Sequence, residues 1–299
     1  MKSALVMLAA GLLLVFQARA DECPRPSVGL ALGSGGAAGL AHIAMLEVFE
    51  ELDLRPQKIS GTSIGAIIAV LSAAGLESGA IRDIFKEFGG SALDPLSGLG
   101  GNNNGPGWRD LLDIDFNEGG IIDAEPFLEF IGEHFDAREF EALAVPVKIV
   151  ATDYYSGQSH VFASGALMPA IQASMAVPGL FKPVKHDGKL LIDGGTSNPL
   201  PHDLLEDVDL TVAIDVTGSR PNDSDDQPGL TDLLFKSFEI MQQSIIRARN
   251  SIQAPDIFIQ VPAENIRLMH FDRVDEVIEQ SQAAVDELRD ALHERLSCD

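Results

Sequence analysis

The chain has 299 residues, 45% of them hydrophobic, and carries 21 basic against 45 acidic residues for a formal net charge of −24. That length buries a sizeable core and fits one α/β domain. The charge excludes nucleic acid as a partner, because gripping a polyphosphate requires a cationic surface, and it disfavours adsorption to anionic membranes by charge alone.

In chain order, residues 1–20 read as an export signal and not as part of the fold. Lys2 supplies the charged start, Leu5 to Phe16 the apolar stretch, and Ala18-Arg19-Ala20 the small residues of a cleavage site. The apolar run is too short to span a bilayer comfortably. The expected product is residues 21–299, periplasmic or secreted. Its two cysteines, Cys23 and Cys298, lie one at each end. An oxidising compartment and neighbouring domain termini suit a disulfide between them, and two free thiols are the alternative. No histidine or cysteine spacing suggests a metal site.

Val28-Gly29-Leu30-Ala31-Leu32 has the look of a buried parallel strand, ended by Gly33-Ser34-Gly35-Gly36. Leu40, Ala44, Met45 and Val48 then recur at helical spacing. Amides of a glycine-rich turn at a helix N-terminus point toward an anion, which suits an oxyanion or a nucleotide phosphate. A nucleotide site also needs an acidic residue ending the next strand about twenty positions on. Asp53 and Glu50 have the spacing but fall at a helix end.

Pro56 to Ser60 leads into Gly61-Thr62-Ser63-Ile64-Gly65, a G-x-S-x-G pattern with an apolar helical run behind it. Such a serine sits on a sharp strand-to-helix turn, its hydroxyl exposed at the positive end of a helix dipole. Two glycine-rich stretches, Gly89 to Gly107 and Gly218 to Gly229, read as lids or surface excursions. Further strands are expected at Pro146–Thr152, Leu190–Asp193, Leu210–Val216 and Asp256–Val261. Two helical stripes close the chain and read as core faces. The first is Leu230, Leu233, Leu234, Phe238, Met241, Ile245 and Ile252; the second is Val274, Val277, Ile278, Val285, Leu288 and Leu292. Strands alternating with helices imply a mostly parallel sheet covered on both faces.

A serine nucleophile needs a base. Asp193 ends a predicted strand, taken as parallel, and Gly194-Gly195 leave room for a serine to approach. A Ser-His-Asp arrangement would instead use His186, His202, His270 or His293, none of which stands in a glycine-marked loop after a strand.

Three blocks, Gly33 to Ile43 (GSGGAAGLAHI), Gly61 to Gly65 (GTSIG) and Asp193-Gly194-Gly195, resemble the signature of the patatin-like phospholipase family. Ala151-Thr152-Asp153 and the run from Ala173 to Phe181 match it too. The resemblance implies a three-layer α/β/α fold with a mostly parallel sheet, no cofactor, and hydrolysis of acyl-lipid esters of phospholipase A or lysophospholipase type. It implies Ser63 as nucleophile, Asp193 as general base, and Gly35 and Gly36 with the neighbouring amides of Ala37 and Ala38 as oxyanion hole. A lipid or acyl ester is then the partner, with transient contact to a lipid surface. One position departs: the family usually carries Arg or Lys where this chain has Ala38, and Lys182 or Lys185 are candidate substitutes. The same departure fits a lipid-binding protein that has lost turnover. Asp153 and Pro178 are read as structural. A dyad without histidine requires Asp193 to be ionised yet poorly solvated.

Overall fold

The computed structural model describes residues 25–90, 124–218 and 230–297. Residues 1–20, Cys23, Cys298 and most of the two glycine-rich stretches lie outside the described residues.

The described strands, in chain order, are β1 (Val28–Leu32), β2 (Lys58–Thr62), β3 (Val147–Asp153), β4 (Ser159–Phe162), β5 (Val184–His186), β6 (Lys189–Asp193), β7 (Leu210–Asp215) and β8 (Ile257–Gln260). They form one sheet. β3, β2, β1, β7 and β8 run parallel in that spatial order. β4, β5 and β6 form an antiparallel extension beside β3. The helices are α1 (Ala41–Glu51), α2 (Ile64–Ala73), α3 (Ser78–Gly90), α4 (Glu125–Gly132), α5 (Leu167–Ser174), α6 (Leu230–Ile252), α7 (Val274–Gln280) and α8 (Gln282–Leu296).

Side chains alternate across a strand, so each central strand feeds two cores. Leu30, Leu32, Val212 and Ile214 enter a large core with Met45, Leu71, Val277 and Leu288 from the helices on that face. Ala31 and Ala213 point the other way and meet Leu200, Leu205 and Ile246 of α6. The sheet is therefore mostly parallel with helices on both faces, as the resemblance implied. The expected strands all form; β4 and β5, short and at the sheet margin, carry too little periodic signal to be read beforehand.

Three expectations change. First, β6 is antiparallel to β3, so Asp193 does not end a parallel strand. Second, the last apolar stripe is buried as expected but belongs to two helices, broken at Ser281, whose buried hydroxyl donates to the Ile278 carbonyl. Third, four of the seven residues of the α6 stripe do not lie on a core face. Leu233, Leu234, Met241 and Ile252 are 50%, 62%, 56% and 87% exposed. The sheet face beneath α6 presents the small side chains of Ala31 and Ala213, and the contact it offers is narrow.

Candidate active site

β2 ends at Thr62 and α2 begins at Ile64, so Ser63 alone turns the chain, at φ 57° and ψ −123°. A non-glycine residue there stores roughly 1–3 kcal/mol of strain, which the surroundings must hold. Close packing supplies the hold. A Cβ on Gly65 would stand 2.2 Å from the Leu32 carbonyl oxygen, so only glycine lets α2 start against the end of β1. The Ser63 amide donates to Ser174 Oγ at 2.8 Å, and that hydroxyl donates to the Val150 carbonyl at 2.6 Å. Ser63 itself is 7% exposed.

Asp193 arrives from the opposite direction. On β3, Val150 pairs with Thr62 on one edge and with Val161 of β4 on the other. The next residue, Ala151, pairs with His160 of β4 and with Asp193. β2 and β6 therefore share one edge of β3 and run at each other end to end, and Ser63 and Asp193 are the residues where they meet. The end of α5 and the residues just after it tie both: Ser174 holds the Ser63 amide, and the Ala176 carbonyl accepts from the Asp193 amide at 2.9 Å.

The Asp193 carboxyl is 1% exposed. Its Oδ1 accepts from the Gly195 amide at 2.7 Å, while Oδ2 is buried without a hydrogen-bond partner. Burial pushes its pKa up to about 7; the Ser63 hydroxyl and then the Gly195 amide pull the other way. Ser63 is thus near enough to favour the carboxylate, yet no formed hydrogen bond reaches Oδ2. Such pairs often tighten only around a substrate.

The glycine turn lies across the same cleft. His42, fully buried, bonds the Gly33 carbonyl at 2.8 Å through Nε2. A carbonyl only accepts, so Nε2 carries the proton; Nδ1 is buried and unpartnered, and burial pushes the imidazole down to about 4. The Gly33 and Ser34 amides donate to Ile214 and Pro199 carbonyls, and the Ala37 amide donates to Leu268 at 2.8 Å. Ala37 is therefore not a spare donor for an oxyanion, contrary to the expectation. Gly35 and Gly36 stand at the start of the 3-10 turn Gly36–Leu40, and their amides take no acceptor among the described residues. Ala38 lines the cleft but sits within that turn.

Ser34, Gly35, Gly36, Ala38, Ser63 and Asp193 all line one cleft, closed on its outer side by Phe235, Phe238, Glu239 and Gln242 of α6. The cleft is partly open, and its cavity measures about 30 Å³, far below the few hundred Å³ of a usual ligand pocket. Gln242 is buried and its Oε1 accepts from Ser34 Oγ at 3.1 Å. Its Nε2 stands 2.2 Å from where a Cβ on Gly195 would be. Sequence reasoning named neither Gln242 nor Ser174 as a site residue; Ser174 lay within a recognised block, and nothing local marked Gln242.

None of the seven histidines lines the cleft. His202 bonds the Leu200 and Gln253 carbonyls. Lys182 and Lys185 are exposed and do not line it either. Asp153 caps its own turn, accepting from the Tyr155 amide and Ser156 hydroxyl. Among the described residues no group of three or more His, Cys, Asp or Glu could hold a metal.

Comparison with known proteins matches a family model described as patatin-like phospholipase to residues 30–205. An uncharacterized NTE family protein of Mycobacterium tuberculosis is 35% identical over 209 residues, 69% of this chain and 54% of that protein. Lysophospholipase NTE1 of Pyricularia oryzae is 29% identical over 199 residues, 66% of this chain and 12% of that one. The chain thus spans about half the length of the mycobacterial relative. Among solved structures, VipD from Legionella pneumophila aligns with a TM-score of 0.46 at 14% identity, covering 89% of this chain and 68% of that one.

Proposed function

This chain belongs to the patatin-like phospholipase family, and on that premise we propose that it is a lipid acyl hydrolase working through Ser63 and Asp193. Ser63 Oγ attacks the ester carbonyl carbon as its proton passes to Asp193. The developing oxyanion is held by the Gly35 and Gly36 amides at the helix start. The tetrahedral intermediate collapses, the alcohol leaves with the proton from Asp193, and the acyl group remains on Ser63. Water then gives a proton to Asp193 and attacks the acyl carbonyl, releasing the fatty acid and restoring the Ser63 hydroxyl. The observation that carries this reading is a desolvated carboxyl with an unpartnered Oδ2, its pKa raised to about 7, beside a strained elbow serine in one cleft.

In purified, folded protein, Ser63→Ala and Asp193→Asn should each lower kcat on p-nitrophenyl esters by roughly a thousandfold or more, and the double variant no further. Near-normal turnover in either single variant would sink the assignment. Phospholipids with one and with two acyl chains, offered in parallel, separate lysophospholipase from phospholipase A action. Ala38, with no cation at that position, favours a second reading as a lipid binder without turnover. A fluorophosphonate that labels Ser63 in the wild type rejects it. We read residues 1–20 as directing export to the periplasm or medium, and N-terminal sequencing of protein recovered there should begin at Asp21.

A further inference from the structure

We propose that the outer face of α6 is a docking surface for a zwitterionic phospholipid interface, presented beside the mouth of the cleft. The proposal rests on the lipid hydrolase reading for its purpose, but its evidence is separate. At roughly 100° per residue, α6 sorts into three arcs. Phe235, Gln242 and Ile246 face inward. Leu234, Met241 and Ile252 fall on one outward line, 62%, 56% and 87% exposed. Leu233 and Ile240, 50% and 51% exposed, share a second outward line with Lys236 and Arg247. Among residues 233–252, the positions between the lines are Ser237, Ser244, Ser251 and Ala248.

Charge decides the occupant. From Leu233 to Ile252 the sole acidic residue is Glu239, which lines the cleft, its side chain only 13% exposed. Between Leu233 and Ile252 the outer surface therefore presents apolar side chains beside Arg247 and Lys236, the latter ion-paired with Glu239 at 3.4 Å, on a chain of net charge −24. Exposed apolar side chains flanked by Lys and Arg suit a helix lying in a headgroup layer, with phosphates meeting the cations. The strongly negative remainder repels an anionic surface, which selects a zwitterionic one. Continuity points the same way: the helix that faces outward with this surface is the one whose inner side closes the cleft. An acyl chain needs far more than about 30 Å³, and α6 is one of the cleft's walls.

The test is flotation of the full chain with phosphatidylcholine vesicles, in a Ser63→Ala background so that lipid is not consumed. The parent should bind, and bind phosphatidylglycerol-rich vesicles more weakly at low salt. Leu234→Asp with Met241→Asp should weaken phosphatidylcholine binding tenfold or more, and Lys236→Glu with Arg247→Glu should weaken it in the same direction. Carried on the active chain, these substitutions should leave turnover of a monomeric soluble ester within twofold. Unchanged vesicle binding in both pairs would overturn the proposal. So would a large fall in Tm without loss of vesicle binding, which would show the face packed within the chain. A parent that ignores vesicles and sediments as a dimer until Met241 is charged would assign the face to a second copy instead. If the parent binds vesicles but the active chain cleaves no ester, the hydrolase reading fails and the docking surface stands.

Discussion

Asp193 concentrates the chemistry because burial and catalysis set opposite demands on one carboxyl. With its pKa raised to about 7, the proton-accepting carboxylate is the minor form at acid pH. We expect kcat/KM on a neutral ester to rise through about pH 7 and then level. A profile already flat from pH 5 upward would show that no group of this pKa limits the reaction. The same shift has a consequence for stability. The folded pKa lies above the unfolded one, so between about pH 4 and 7 the folded state keeps a proton that the unfolded state has lost, and stability falls as pH rises. A shift of that size corresponds to on the order of 4 kcal/mol at pH 8. Asp193→Asn should therefore be more stable than the wild type at pH 8 and gain less at pH 5, measured by urea unfolding at both. An equal difference at the two pH values would remove the raised carboxyl from the account.

Ser174 and Ala38 make two further cases. Ser174→Ala leaves the Ser63 amide without its acceptor and releases one tie on the elbow. A displacement of the nucleophile of this kind costs about a hundredfold in rate, so kcat should fall by up to that amount while KM changes little. A KM effect alone would mean that Ser174 does not position the serine. Ala38 is 6% exposed and lines a cavity of about 30 Å³. Ala38→Arg should therefore crowd the cleft and lower kcat/KM; a faster enzyme would show that the cleft opens to receive the cation.

Among the elements, the junction of β1, β2 and α2 tolerates no added atom at Gly65, whose Cβ would lie 2.2 Å from the Leu32 oxygen. Gly65→Ala should cost about 1–3 kcal/mol or more through overpacking and displace the elbow, with activity lost alongside. Gly79, in the first turn of α3, has open space around it. Gly79→Ala should instead stabilise by up to about 1 kcal/mol, since alanine restricts the unfolded chain and suits a helix. Thermal unfolding of the two variants checks both signs. Helix α6 illustrates a limit of periodicity. Its apolar residues recur at helical spacing, which identifies a helix with a lipophilic side. Spacing carries no record of whether that side meets protein.

At the scale of the molecule, the parts that were legible in the sequence are those whose cause lies within a few residues. The elbow is written in Gly61, Ser63 and Gly65 because a tight turn excludes side chains locally. β1, β3 and β7 are written in short apolar runs because a strand buried on both faces needs them, and β8, buried on one face, in the alternation of Ile257 and Ile259 with Phe258 and Gln260. Asp193 is marked by the glycines that follow it. Tertiary structure alone decided the rest. The reversal of β6, which brings Asp193 head-on to Ser63 along β3, depends on pairing between segments far apart in sequence. The commitment of the Ala37 amide to Leu268 and the arrival of Gln242 over Gly195 join residues that lie on different elements, far beyond the reach of any local pattern. Which side of α6 is covered follows from the small side chains of Ala31 and Ala213 beneath it. A sequence records what each residue can bury or bond, whereas long-range packing determines which partner takes it up.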